Sequence, residues 1–115
     1  MHKGLATLGA FILALNTGSA HAASYDCNKA RSADEVAICK SPALGELDVK
    51  MATLYNVSSH LYAMGARGAM QDDQQIFLKQ RKSCSGNTAC LRNAYQARIS
   101  QLEKGLERIY ENGPY

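Results

Sequence analysis

From Pro42 onward, apolar residues return every three or four positions: Leu44, Leu47, Met51, Leu54, Tyr55, Leu61 and Tyr62, with Ser58 in the same register. That period is the signature of one face of an α-helix. Pro42 behind Ser41 is a start signal, because a proline at the first helical position forfeits no hydrogen bond. The pattern predicts about six turns of helix. Glu46, Asp48, Lys50 and Asn56 fall off the stripe and read as its outer side. Gly65 and Gly68 should end the helix, leaving Met64-Gly65-Ala66-Arg67-Gly68 as an exposed, mobile turn.

Three further segments carry the same period. Ser32 followed by Glu35 is a capping box, and Val36, Ile38 and Cys39 give the short helix behind it an apolar side. A third helix is expected from about Ala69 to Ser83, with Met70, Gln74, Phe77 and Arg81 on one face. Ser85-Gly86-Asn87-Thr88 reads as a turn whose Asn87 or Thr88 caps a fourth helix. That helix carries Leu91, Ala94, Tyr95, Arg98, Ile99, Leu102, Leu106, Ile109 and Tyr110, and stops at Gly113-Pro114. Gly105 lies inside it and costs about 1 kcal/mol relative to alanine, a cost that close approach of a neighbouring helix would explain. Alternating strand patterns are missing. The expected fold is all-α, a small antiparallel bundle of three main helices plus a short N-terminal one.

The N-terminus adds a destination. Met1-His2-Lys3 is cationic, Leu5 to Leu15 is apolar but short for a membrane span, and Ala20-His21-Ala22 forms an A-x-A site. Residues 1–22 therefore read as a signal peptide cleaved after Ala22, with 23–115 as a single exported domain, periplasmic or secreted. No cysteine stands where a lipid anchor would need one, so a membrane anchor is not expected, and a monomer is. The chain has 13 Lys or Arg against 10 Asp or Glu; losing Lys3 with the leader brings the balance closer still. Such a balance, without a basic stripe, argues against a nucleic-acid partner.

Export changes the meaning of the four cysteines. In an oxidising compartment they form a disulfide framework. Three pairings are possible, and local geometry favours Cys27–Cys39 and Cys84–Cys90. The second pair would cross the short connection between the third and fourth helices. The spacings do not suit zinc, so no metal and no cofactor are expected. No catalytic constellation assembles either. His60 is the single candidate base after the leader, and a solvent-facing role explains it. Asp72-Asp73 suits the helix dipole. Arg81 and Arg92 flank the second cysteine pair; they could bind a carboxylate or lie along the bundle surface, and the second is the favoured reading. Tyr55, Tyr62, Phe77, Tyr95 and Tyr110 read as core or core boundary. Tyr25 and Tyr115, near the ends of the exported domain, are freer to meet a partner.

Taken together, these positions resemble a known family. Tyr25-Asp26-Cys27-x-Lys29-Ala30, Glu35-x-x-Ile38-Cys39-x-x-Pro42-x-Leu44-x-x-Leu47-Asp48 and Tyr55 resemble the first half of the LprI-type lysozyme-inhibitor domain. Gln74-x-x-Phe77-Leu78-x-x-Arg81-x-x-Cys84 and Cys90-Leu91-x-x-Ala94-Tyr95-x-x-Arg98-Ile99-x-x-Leu102 resemble the second. The match runs from about residue 25 to 110. It departs at Phe77, where the family usually has Trp, and at Lys82, where it has an acidic residue. The resemblance implies a non-enzymatic helical protein of the cell envelope that binds and inhibits lysozyme. Gly65, Arg67, Asp72 and Asp73 are the expected partner contacts, chosen for exposure and charge. The alternative is a periplasmic binding or assembly factor for another envelope protein.

Overall fold

A computed structural model describes residues 4, 9 and 23–112. The leader assigned to residues 1–22 lies outside the described residues except at Gly4 and Gly9, as do the expected stop at Gly113-Pro114 and Tyr115. Among the described residues the structure is helical, without strands. A 3-10 turn at Cys27–Lys29 leads into α1 (Ala33–Lys40), α2 (Pro42–Leu61), α3 (Met64–Ser83) and α4 (Thr88–Glu111).

The helix starts follow local chemistry. Ahead of α1, the Ser32 backbone N–H donates to Glu35 Oε1 at 3.3 Å. Ser41 Oγ accepts from the Leu44 N–H at 3.2 Å, with Pro42 directly behind the cap. Asn87, rather than Thr88, caps α4 by accepting from the Cys90 N–H at 2.9 Å. Each satisfies an amide that the helix leaves without an internal partner.

Successive long helices run antiparallel, so α2 and α4 lie parallel. The pairs Asp48–Tyr95, Tyr55–Arg98 and Tyr62–Gly105 advance together along both. The core is built from Ile38, Leu44, Met51, Met70, Phe77, Leu91, Tyr95, Ile99 and Leu102. Phe77 and Tyr95 meet edge to face at its centre, ring centroids 5.2 Å apart. The expectation that Gly105 permits close approach is met: a Cβ there would collide with the Tyr62 hydroxyl.

That contact also accounts for a difference from the expected helix ends. α2 stops at Leu61, and Tyr62 and Ala63 form an extended two-residue corner. α3 then begins at Met64, so residues 64–68 are its first turn and not a loop. Two glycines favour a break, but Tyr62 seated on Gly105 fixes the corner ahead of them. Packing overrides propensity here.

Both cysteine pairs are joined as local geometry favours, Cys27 to Cys39 and Cys84 to Cys90, with Cα separations of 5.8 and 5.5 Å. Ser85 carries the chain from α3 toward α4 in a left-handed conformation, φ 52°. The bridges place the chain in an oxidising environment. Among the described residues, no helix is long and apolar enough to cross a membrane.

Candidate functional site

Two buried polar clusters lie inside the bundle. The first centres on Arg81. Its Nε donates to Asp34 Oδ2 at 2.9 Å, and its Nη1 lies 3.8 Å from Asp48 Oδ1 and 3.4 Å from the Tyr95 hydroxyl. The Tyr95 hydroxyl donates to Asp48 Oδ1 at 2.7 Å. The Ser24 N–H donates to the other Asp48 oxygen at 2.6 Å. Tyr25 lies across the guanidinium, 5.6 Å from its ring centroid, and its hydroxyl donates to the Glu35 carbonyl at 2.8 Å. Asp34 and Asp48 are 2% and 0% exposed.

Four sequence expectations are corrected by this cluster. Arg81 does not lie along the surface; it is held inside by two carboxylates. Asp48 is not on the outer side of α2. It stands four residues after Leu44 and three before Met51, which puts it on the buried face, and a reading that follows only apolar residues passes over it. Tyr25 is not free for a partner, because it closes the cluster. Tyr110 belongs to neither core nor boundary and is 76% exposed, since α4 outruns the helices beside it.

Burial governs the ionisation of these groups. It pushes the Tyr25 phenol up to about 12, with Arg81 pulling the other way. Tyr95 is raised further, first by burial and then by its bond to Asp48. Both phenols therefore remain hydrogen-bond donors at any physiological pH. Burial also pushes the Asp34 carboxyl up, but the Ser32 hydroxyl and the Arg81 guanidinium outweigh it and hold the group below the usual carboxylate range. Two carboxylates around one guanidinium tie the lead-in, α1, α2, α3 and α4 together, with both Asp48 oxygens hydrogen-bonded and Asp34 Oδ1 buried without a hydrogen-bond partner.

The second cluster lies between α3 and α4. Arg98 is 4% exposed. It donates to Gln74 Oε1 at 3.0 Å, to Gln101 Oε1 at 2.7 Å and to the Met70 carbonyl at 3.4 Å. Among the described residues no carboxylate comes within ion-pair distance of it. Burial pulls its pKa down, while the charges of the Asp73 carboxyl and the Tyr55 phenol act in the opposite sense. Two cavities of about 230 Å³ each open beside it, both lined by Asp73, Arg98 and Gln101. A wider depression of about 550 Å³ lies where the α2–α3 corner meets the end of α4, around Leu61, Ala63, Ala66 and Ile109.

The expected partner contacts do not form one loop. Gly65 and Asp72 are exposed on the same outward side of α3. Arg67 is half-buried, its guanidinium donating to the Tyr62 carbonyl at 3.1 Å. Asp73 turns toward α4 and accepts from Gln101 Nε2 at 3.3 Å. His60 is exposed, as expected, with Nδ1 2.7 Å from the Asn56 carbonyl oxygen. Among the described residues no group of three or more His, Cys, Asp or Glu is placed to hold a metal ion. Arg98 and Gln74 were visible in the sequence as polar members of apolar faces; their pairing was not. No protein-family model, curated protein or solved structure matches this chain.

Proposed function

We propose that this chain is an exported, non-enzymatic protein of the LprI type that binds lysozyme and blocks its cleft. The observation that carries the reading is where its resemblance falls. Cys27, Cys39, Leu44, Asp48, Arg81, Cys84, Cys90 and Tyr95 all belong to the two bridges, the Arg81 cluster or the core packed on it. These residues share one structural task, so they support the fold that the resemblance implies, and the activity is proposed by analogy with it. The bridges support export to the periplasm or beyond it. The carboxylates of the Arg81 cluster are buried against its guanidinium, out of reach of a substrate, which favours a binding role over acid–base chemistry.

Asp72 and Gly65, on the outward side of α3, are the contacts this reading uses. Common lysozymes are basic, and an exposed carboxylate on a rigid helix adds local complementarity where the net charge adds none. The test is lysis of cell-wall substrate by lysozyme in the presence of the oxidised protein. Slowing that saturates near equal molarity is expected, and Asp72→Arg should weaken it severalfold without disturbing the fold. Lysis unchanged at large molar excess would refute inhibition of that lysozyme. The second reading, a binding or assembly factor, draws on exposed Val57 and Leu61 one turn apart on α2. It predicts capture of a different envelope protein that Leu61→Asp abolishes.

A further inference from the structure

Arg98 is a buried cation whose hydrogen bonds all go to neutral oxygens. Burying a charge without a counter-charge is costly. The nearest compensation is relayed: the Gln101 side chain presents its oxygen to Arg98 and its nitrogen to Asp73. Gln101 is itself exposed, so its side chain can swing away into water. Because both cavities share Asp73, Arg98 and Gln101, the Gln101 amide divides what is otherwise one groove between α3 and α4. Phe77 and Ala94 wall one side of it, Ala66 and Met70 the other.

We propose that this groove binds a free α-amino acid with an apolar side chain, its carboxylate on Arg98 and its ammonium on Asp73. The Gln101 amide is the neutral stand-in, with an acceptor at the cation and a donor at the anion. A zwitterion replaces both contacts with charge-assisted ones, which are shorter and stronger. The charge pair also sets the ligand class. A simple anion would be repelled by Asp73 and a simple cation by Arg98. Size points the same way: each cavity, at about 230 Å³, lies below the roughly 300–1,000 Å³ of drug-sized sites. The side chain enters the space beside Phe77 or beside Met70. The proposal is independent of the lysozyme reading.

Leucine is the probe, titrated into the oxidised protein and into Gln101→Ala by calorimetry. Saturable binding to the wild type is expected, and tighter binding to Gln101→Ala, because the competing amide is gone. Leucinamide lacks the carboxylate and N-acetylleucine lacks the ammonium; each should bind at least tenfold more weakly. These two arms also separate a free amino acid from the N-terminal or C-terminal residue of a peptide. In Asp73→Asn the preference for leucine over N-acetylleucine should collapse, while leucinamide stays weak. Both substituted side chains are at least partly exposed, so the variants should fold. Absence of binding to both the wild type and Gln101→Ala at millimolar leucine would overturn the proposal. Equal binding of all three ligands, or an unchanged preference in Asp73→Asn, would overturn it as well.

Discussion

Arg81 joins more of the protein than any other single side chain described above. It reaches Asp34 on α1, Asp48 on α2 and Tyr95 on α4 from its own place on α3. Its removal would leave two carboxylates buried together without a cation. Breaking such a group from one side costs about 3–5 kcal/mol, more than the intact group contributes over an apolar replacement. Arg81→Met should therefore lose about that much in urea unfolding at neutral pH. Asp34→Asn leaves the guanidinium beside Asp48 and should lose less, about 1–3 kcal/mol. The two differ in pH dependence as well. Asp34 has a lowered pKa in the fold, so its contribution is complete above the unfolded value near 4 and is lost as pH falls through the folded value. Wild-type stability should decline below about pH 4, and Asp34→Asn should flatten that decline. An equally steep acid limb in the variant would assign the loss to other carboxylates. The sequence placed Arg81 on the apolar face of α3 through its spacing from Phe77. It could not supply the partner, because Asp34 lies 47 residues away and serves equally well as a first-turn residue for the helix dipole.

At the scale of elements, starts were readable and the α2–α3 junction was not. Ser32, Ser41-Pro42 and Asn87 act within a few residues, so the chemistry that sets them is local and shows in the order of the chain. The junction depends on Tyr62 lying over Gly105, a contact between residues far apart in sequence. Gly65 and Gly68 consequently sit in helix, where neither needs its conformational freedom and a Cβ would meet no neighbour within 4 Å. Gly68 is the more informative of the two, lying further inside α3, which begins at Met64. Gly68→Ala should raise stability by up to about 1 kcal/mol, the helix-propensity difference, supplemented by a less flexible unfolded chain. Thermal unfolding measures it. Were residues 64–68 a turn using glycine's freedom, the substitution would be neutral or harmful. A gain therefore bears directly on whether Gly65, Arg67 and Asp72 present a rigid helical surface to a partner.

For the molecule as a whole, the two bridges have unequal reach. The chain-entropy account gives about 3 kcal/mol for the Cys27–Cys39 loop and about 2 kcal/mol for the shorter Cys84–Cys90 loop. The second bridge closes a connection that Asn87 already caps, so its loss should stay close to the loop figure. The first does more than close a loop. It anchors the lead-in from which Ser24 donates to Asp48 and Tyr25 covers Arg81. Without it, those contacts must hold an otherwise free N-terminal segment, and the Arg81 cluster opens to water on that side. Cys27→Ser with Cys39→Ser should thus cost more than 3 kcal/mol in loop terms. It should also raise amide exchange at Ser24 and Tyr25 well above its level in the Cys84→Ser with Cys90→Ser protein. The Arg81→Met background separates the two contributions: with the cluster already broken, removing Cys27–Cys39 should cost only its loop entropy. Equal costs in both backgrounds would show that the bridge and the buried ions act independently, and that the lead-in is held by the disulfide alone.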